Sequence, residues 1–318
     1  MRDSAFYAFH FTFHVSRFTF HALRFTHYVS RITFHVSRFT FHVSRFTEDK
    51  LILIADNLQI INPVIGKAVD EMNPGPIQEM VKQCETAGAE AIDINSGPLT
   101  RDPEKKMTFL IKAVQEVSDL PVLIDTANPR AMEAGLCANK KQAIINGFSA
   151  EPAKLELILP LAKRFDTDII GYLLYPDSHV PPDGAERLSV AIELYSEFQK
   201  AGIAEERLII DPVVAPVIWG DGNIQDMEIL SVIRQLPEVL GFPVRTIAGL
   251  SNLTTGQGPG EKKLLLERTY LPMLAGSGLS MVLLNIFHRE SMRVAKSCRA
   301  LTEPKVFAWE EVPAVNKL

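Results

Sequence analysis

A short apolar run that ends in an acidic or amide residue, and is followed by a helix, recurs along most of this chain. The clearest copy is Pro121-Val-Leu-Ile-Asp-Thr-Ala-Asn128. An unbroken apolar run of this kind is typical of a strand buried on both faces, so Asp125 marks the carboxyl end of a parallel strand. Asn128-Pro129 then supplies an N-cap and a first-turn proline for a helix. This unit favours an α/β fold with a parallel sheet.

Eight strands of this type are predicted between Leu51 and Leu284. They cover 51–54, 91–95, 121–124, 142–146, 168–174, 207–211, 244–248 and 280–284. Helical crossovers between parallel strands are right-handed, so we predict a closed (β/α)8 TIM barrel. A doubly wound open sheet is the alternative. It is less favoured because no G-x-G-x-x-G follows the first strand, and because polar residues end nearly every strand.

The N-terminal part of the chain has a different pattern. Residues 11–45 repeat a seven-residue unit of the type FTFHVSR, which contains most of the histidines. A histidine-rich tract can hold a metal, but nothing in this pattern makes the side chains converge. We therefore expect residues 1–47 to be an extension without a part in the chemistry, disordered or added by a misassigned gene start. Residues 48–318 are expected to form the barrel.

Charge and cysteine content narrow the function classes. The chain has a net charge of −5, and its arginine-rich extension is positive, so the barrel region is acidic. An acidic body argues against nucleic-acid binding. No apolar run reaches 18 residues, which argues against a membrane span. The 3 cysteines are widely spaced and fit neither a disulfide framework nor a zinc site, so a cytoplasmic location is expected.

Carboxylates and amides end most of the predicted strands, and a barrel would bring them to one mouth. They are Asp56, Asp93, Asn95, Asp125, Asn146, Asp211, Asn252 and Asn285. Such residues often serve only as turn formers or helix caps. Asp93 and Asn95 resist that interpretation because they lie within an apolar strand, where an unpaired charge is costly. A rim of this chemistry favours a flat, nitrogen-rich ligand over a catalytic metal, and no bound metal is expected.

Five ordered motifs resemble those of the pterin-binding barrels. They are Asp93-Ile-Asn-Ser-Gly-Pro98, Leu123-Ile-Asp-Thr-Ala-Asn128, Ile144-Ile-Asn-Gly-Phe-Ser-Ala-Glu151, Ile209-Ile-Asp-Pro-Val-Val-Ala-Pro216 and Gly249-Leu-Ser-Asn252. The match resembles most the methyltetrahydrofolate:corrinoid protein methyltransferases of the acetyl-CoA (Wood–Ljungdahl) pathway. It covers about residues 51–301. The chain departs from that family after the first strand, where Asp56-Asn-Leu-Gln59 replaces a Glu-Arg-Ile-Asn type of sequence.

The resemblance implies a set of roles for the strand-end residues. The pterin ring is expected to lie across the barrel mouth, with Asn252 and Asp125 as catalytic residues. Asn252 would donate a hydrogen bond to the leaving N5 nitrogen, which otherwise departs as a poorly stabilised anion. The implied substrate-binding residues are Asp93, Asn95, Asn146, Asp211, Gly249, Ser251 and Lys263. Lys263 falls where the family has an arginine on the folate side.

The resemblance also implies the reaction and its partners. Methyltetrahydrofolate would be the methyl donor, and the acceptor would be the Co(I) corrinoid of a separate corrinoid iron–sulfur protein. A homodimer is expected. The alternatives are the methyltransferase of another corrinoid demethylation system, a dihydropteroate synthase, and a non-catalytic folate-binding subunit. The synthase is disfavoured because Ser251-Asn252 and Ala215-Pro216 occupy positions where synthases carry a Ser-Arg pair and a lysine.

Overall fold

Eight parallel strands close into a barrel in the computed structural model, which describes residues 50–314. The extension 1–47 and its repeat lie outside the described residues. The strands are β1 (Ile52–Gln59), β2 (Ala91–Asn95), β3 (Val122–Asp125), β4 (Ala143–Phe148), β5 (Asp168–Tyr172), β6 (Leu208–Asp211), β7 (Arg245–Gly249) and β8 (Met281–Leu284). β1 pairs with both β2 and β8. The predicted TIM barrel is confirmed, and the open sheet is wrong because such a sheet would leave its edge strands unpaired.

Helices connect successive strands on the outside of the barrel. Within residues 50–314 they are α1 (Pro63–Asp70), α2 (Pro74–Ala87), α3 (Pro103–Gln115), α4 (Pro129–Ala138), α5 (Pro152–Leu157), α6 (Leu159–Phe165), α7 (Gly184–Lys200), α8 (Gly222–Leu240), α9 (Gly260–Gly276) and α10 (Arg289–Thr302). None of the described helices is long and apolar enough to cross a membrane.

Asparagine–proline pairs begin three of these helices. Asn62, Asn73 and Asn128 each accept a hydrogen bond from a first-turn backbone N–H, and proline follows each of them. The proline lacks an N–H at a position where the helix has no acceptor for one. The sequence pattern predicts a loop through Asn62-Pro63 and Asn73-Pro-Gly-Pro76 that leads to a helix over Ile77–Ala87, but the structure forms α1 within it and begins α2 at Pro74. The sequence contains two consecutive helix starts, and the chain turns between the two helices at Met72, which has φ +54°.

Three further boundaries differ from the predictions. The sequence pattern predicts one helix over 152–165, but the structure divides it at Ile158 because Pro160 lies in the first turn of a new helix. β1 continues past Asp56 to Gln59, and its register with β2 shifts between Ala55 and Leu58. The long helix α8 after the sixth strand was not assigned from the sequence. These differences change the rim loops and leave the strand order unaffected.

Apolar residues fill the strands and the inner faces of the helices, and the strand ends carry the polar groups. The middle residues of β3 and β6, such as Leu123, Ile124, Ile209 and Ile210, are fully buried. Parallel strands all point their carboxyl ends toward one end of the barrel. The residues that follow these apolar runs therefore share one mouth.

Candidate functional site

A row of polar side chains crosses β2, β3 and β4 at the barrel mouth. The strand register aligns Asn95 with Asp125, and Asp125 with Asn146. The Asn95 amide donates a 2.7 Å hydrogen bond from Nδ2 to Asp125 Oδ2. Burial raises the pKa of Asp125 to about 6. Asn95 therefore orients a carboxyl group that gains and loses its proton close to neutral pH.

A second polar chain lies deeper and runs from β2 to β5. Asn146 donates from Nδ2 to Asp93 Oδ1 at 3.2 Å, and the Tyr172 hydroxyl donates to Asn146 Oδ1. Asp93 is 3% exposed and Asn146 is 6% exposed. Burial, followed by the charge of Asp125, raises the pKa of Asp93 well above its usual range. The structure thus brings the predicted binding residues Asp93 and Asn146 together inside the mouth, and the Tyr172 bond fixes the orientation of the Asn146 amide.

Tyr172 is a member of the site that the sequence interpretation missed. Its hydroxyl is held among three carboxyl groups, and burial followed by the charges of Asp125, Asp211 and Asp93 raises its pKa far above the usual range. It therefore keeps its proton and acts as a donor. Strand alternation was the available signal, because Tyr172 follows Ile170 on one face of a buried strand and a buried hydroxyl needs a partner.

Asp211 ends β6 and is set apart from the β2–β4 groups. It is 6% exposed, and its Oδ1 accepts a 2.8 Å hydrogen bond from the backbone N–H of Val213. Burial raises the pKa of Asp211 to about 7, while the Val213 bond acts in the opposite direction. A carboxyl group with this pKa is about half ionised at neutral pH, so a ligand that donates N–H bonds would readily favour its carboxylate form.

The β7 end presents the exposed residue Asn252 on a short 3-10 helix, Leu250–Thr254, whose other side is buried. No described residue hydrogen-bonds to the Asn252 amide, whose Nδ2 would lie 3.1 Å from a Cβ added at Gly249. A larger residue at position 249 would press on this amide. Gly249 thus contributes space rather than a contact, and Asn252 keeps its donor and acceptor available at the mouth.

Ser251 lies beside Asn252 but faces the first strand. Its Oγ donates to Asp56 Oδ2 at 3.3 Å, which ties the β7 turn to the irregular end of β1. Burial, opposed by the Ser251 bond and assisted by the charge of Glu267, raises the pKa of Asp56 to about 6. Ser251 therefore has a protein partner already, unlike Asn252.

The remaining predicted ligand, Lys263, lies on α9 and reaches back to its own loop. Its ammonium group donates to the backbone carbonyl of Gly256, and its stem passes under Gly258. This contact closes the glycine-rich loop that follows the β7 turn.

Asn285, another strand-end candidate, is a turn former: Asn285 Oδ1 accepts from the backbone N–H of Phe287 and from Asn57 Nδ2.

Carboxyl, amide and phenol groups thus surround the mouth with directional donors and acceptors. Among residues 50–314, no group of three histidine, cysteine, aspartate or glutamate side chains is arranged to hold a metal ion. A separate surface cleft of about 590 Å³ lies on the outside of the barrel, along α3 and beside Met72 and Pro74. None of the strand-end residues lines that cleft, so it is not part of the mouth.

Comparison with known proteins decides the family. A family profile described as pterin binding enzyme matches residues 72–283, about two thirds of the chain. The chain belongs to the pterin-binding enzyme family. The resemblance of the five motifs is thereby confirmed at the level of the family, and all the predicted site residues from Asp93 to Lys263 lie within the matched region.

Relatives of this pterin-binding enzyme include proteins of two activities. It is 23% identical over 244 residues to a methylcorrinoid:tetrahydrofolate methyltransferase from Eubacterium limosum, a match that covers 76% of this chain and 88% of the relative. A dihydropteroate synthase from Xanthomonas albilineans superposes with a TM-score of 0.59 at 20% identity, covering 80% of this chain and 93% of the synthase. The Yersinia pestis synthase gives 0.58 at 15% identity, with 79% and 93% coverage. The synthases share the fold.

Proposed function

We propose that this pterin-binding enzyme transfers a methyl group between N5 of a tetrahydrofolate and the cobalt of a corrinoid carried by a partner protein. The observation that carries the proposal is the uncommitted amide of Asn252 at the end of β7, with Gly249 leaving room for it. The Eubacterium limosum relative supports the same substrate pair. Its name describes transfer from methylcorrinoid to tetrahydrofolate, and the enzyme would catalyse both directions because a catalyst lowers one shared barrier.

Asp93, Asn146 and Asp211 are proposed to bind the pterin ring. A pterin offers adjacent N–H donors and ring nitrogen acceptors along its edge, which suit a carboxylate and an amide. Asp93 and Asn146 are already joined at 3.2 Å and oriented by Tyr172, so little reordering is needed when the ring arrives. Asp211 would accept ring N–H groups as a carboxylate, which strengthens the bonds.

The methyl transfer step is proposed to depend on Asn252. When the corrinoid attacks the methyl group, the C–N bond breaks and its electron pair stays on N5. A hydrogen bond from the Asn252 amide to N5 becomes stronger as that charge develops, so it stabilises the transition state more than the bound substrate. Asp125, held by Asn95 and with a pKa of about 6, is the proposed proton exchanger on the β2–β5 side of the mouth.

The chain itself need not supply a nucleophile, because the reduced corrinoid is one. Cys84, Cys137 and Cys298 all lie on helices outside the barrel rather than at strand ends. Lys263 is proposed to reach the folate tail only if it leaves the Gly256 carbonyl. A corrinoid partner with an iron–sulfur centre, a role in the acetyl-CoA pathway, a homodimer and a cytoplasmic location stay predictions.

Dihydropteroate synthase is the second candidate, favoured by the fold of the solved relatives. That reaction expels pyrophosphate, which requires cationic groups at the mouth. Here Asn252 follows Ser251, and the loop after β6 has Ala215 and Pro216. The rim offers carboxyl and amide groups instead, so methyl transfer fits its chemistry better.

The two candidates are separated by offering both substrate sets to the same preparation. One reaction contains tetrahydrofolate and methylcobalamin, with 5-methyltetrahydrofolate measured by chromatography. The other contains a pterin pyrophosphate and p-aminobenzoate, with dihydropteroate measured. We expect product only in the first. Product only in the second would replace methyl transfer by the synthase reaction, and folate binding without either product would support a binding subunit.

A further inference from the structure

Behind Asp211, four buried polar residues surround the loop Pro212–Pro216. They are Arg187 of α7, Gln225 and Asp226 of α8, and Tyr270 of α9, with exposures of 0%, 5%, 3% and 5%. A fully buried arginine is unusual, because removing its charge from water is costly unless it is hydrogen-bonded and paired. No step of the proposed reaction uses these residues, so their burial calls for another explanation.

Their hydrogen bonds converge on the loop. Arg187 donates from Nε to the Pro212 carbonyl at 3.2 Å and from Nη2 to Gln225 Oε1 at 2.9 Å. Asp226 Oδ1 accepts the backbone N–H of Ala215 at 3.0 Å. The first and fourth residues of the loop are thus held by opposite charges that also attract each other. Tyr270 donates to the Asp226 backbone carbonyl at 2.7 Å and holds α8 in turn.

Between these two attachment points lies a conformation that needs support. Val213 has φ +63°, in the left-handed region that a β-branched residue rarely adopts. The Pro212 carbonyl and the Val213 N–H belong to one planar peptide group, so the Arg187 bond to that carbonyl also fixes the N–H that donates to Asp211 Oδ1 at 2.8 Å. If the loop relaxed out of the left-handed turn, this peptide group would rotate and the bond to Asp211 would be lost.

We propose that Arg187 and Asp226 form a buried clamp that positions the Asp211 carboxylate by fixing the Pro212–Val213 peptide group and the left-handed turn at Val213. Both are positioning residues, since neither touches the mouth. The value of this position for the ligand depends on the proposed function, in which Asp211 binds the pterin. The effect of the clamp on the Asp211 carboxyl group does not depend on the proposed function, because it is a property of the protein without ligand.

The clamp gives Asp211 a measurable electrostatic signature. The Val213 N–H bond favours the carboxylate form, so losing it would raise the pKa of Asp211 above about 7. Tyr172 of β5 faces Asp211 from the barrel interior and stays protonated. The charged and titratable groups around Arg187 are Asp183, Asp226, Glu228 and Tyr270. None of these four groups contributes to the pKa shift of Asp211.

The test replaces both charges at once, Arg187→Met with Asp226→Leu, because an apolar pair of similar size avoids leaving one charge buried alone. Asp211 is titrated by carboxyl 13C NMR in the ligand-free protein. We expect its pKa to rise by about one unit, as for loss of one bond to a carboxylate. Arg187→Gln with Asp226→Asn removes both charges but keeps a donor and an acceptor for the two attachment points, and should stay near wild type. If the first double variant does not fold, Arg187→Met with Asp226→Asn removes only the donor to the Pro212 carbonyl and should still raise the Asp211 pKa.

A matched control is available at the opposite end of the barrel. Asp168 is buried and bound to Arg207 and Arg245. Arg245→Met with Asp168→Leu should reduce stability while leaving the Asp211 titration unchanged. An unchanged Asp211 pKa in the clamp variant, or an equal shift in this control, overturns the proposal.

Binding of a reduced pterin is then measured at two pH values. A rise of one unit from about 7 lowers the carboxylate fraction at pH 7 by roughly fivefold, and by less than about twofold at pH 9. The clamp variant should therefore bind about fivefold more weakly at pH 7 and nearly normally at pH 9. Equal weakening at both pH values means a purely structural role and overturns the clamp. If wild type binds no pterin, the proposed function fails and the NMR titration alone decides the clamp.

Discussion

The polar side chains on the two sides of the barrel mouth differ in how they are hydrogen-bonded. On the β2–β5 side, Asp93, Asn146 and Tyr172 are joined in one chain, and Asn95 is bonded to Asp125. On the β6–β7 side, the hydrogen bonds among residues 50–314 give Asp211 a backbone partner alone and leave the Asn252 amide without one. The first side is assembled before any ligand arrives, whereas the second keeps the side chains of Asp211 and Asn252 available.

This difference suggests a division of work between binding and chemistry. Preassembled groups lose little conformational freedom when a ring binds, so they suit recognition. A free amide at an exposed turn can instead strengthen its bond as charge develops on the substrate. The β2–β5 side would then set the position of the pterin, and the β7 end would act on the reacting nitrogen.

The largest effect is expected at Asn252. Asn252→Ala removes a donor that acts mainly in the transition state, and the loss of one such donor lowers a rate by about 10²–10³. The rate constant of methyl transfer should fall by that factor while the dissociation constant of methyltetrahydrofolate changes little. Stopped-flow absorbance of reduced cobalamin measures the first quantity, and calorimetry measures the second.

Asn285→Ala is the matched control, because Asn285 is also a strand-end asparagine but is committed to its own turn and to Asn57. It should leave the chemical step near wild type. A methyl-transfer rate for Asn252→Ala within about twofold of wild type would rule out a transition-state role for Asn252, because the loss of such a donor changes a rate by far more than that.

The next largest effect is expected from Asp211→Ala. Removing one partner of a buried hydrogen bond to a charge costs about 2–5 kcal/mol, so folate should bind about 30-fold more weakly or worse. Calorimetry gives the dissociation constant. Asp168→Asn, at the other end of the barrel, should leave it unchanged. If Asp211→Ala bound folate as tightly as wild type, the Asp211 carboxyl group would not be part of the pterin site.

Smaller effects are expected when the pH is changed, and stability and folate affinity should change in opposite directions. Asp211, with a pKa of about 7, and Asp125 and Asp56, each at about 6, are all raised above the usual 3.8 by burial. In the free protein the folded state holds more protons than the unfolded state between pH 4 and 7. The free energy of unfolding should therefore decrease as pH rises through this range.

Folate affinity should change in the other direction. Asp211 accepts ring N–H groups as a carboxylate, so the dissociation constant should fall as pH rises through about 7. Urea unfolding and calorimetry across pH 5 to 8.5 measure the two trends. Affinity that increases on acidification would mean that Asp211 binds its ligand in the protonated form.

The smallest effect is expected from removing residues 1–47. The barrel that forms the mouth begins at β1, and this first strand pairs with β2 and β8. A chain that starts at Glu48 should keep its melting temperature and folate affinity within error. Differential scanning calorimetry compares the two proteins, and a truncated chain that fails to fold or to bind folate would give the extension a function.

Much of the fold follows from the sequence because its signals are local. Each apolar run long enough to be buried on both faces became a strand, and Asn128-Pro129 began a helix as expected. The loop predicted through Asn62-Pro63 and Asn73-Pro-Gly-Pro76 was wrong because each asparagine–proline pair begins a helix. Pro160 divided a predicted helix for the same steric reason that Pro63 and Pro74 begin one.

The site was less predictable because its contacts are long-range. Strand alternation placed Asp93 and Asn95 on one face, but it did not reveal that Asn146 bonds to Asp93 across 53 positions of sequence. Tyr172 went unnoticed because an aromatic residue in a buried strand looks like core. Arg187 was hidden in an amphipathic helix, where a charge is usually solvent-exposed. Lys263 matched by spacing, yet its ammonium group bonds to Gly256.

The central claim is that a methyl group moves between folate and a corrinoid at this mouth. The direct measurement uses 5-methyltetrahydrofolate with a 13C-labelled methyl group, mixed with the protein and reduced cobalamin, and follows the methyl resonance by NMR. The account predicts that the signal moves from the folate to methylcobalamin with wild type, and far more slowly with Asn252→Ala. A labelled folate that stays bound and unchanged in the presence of reduced cobalamin and wild-type protein would contradict it.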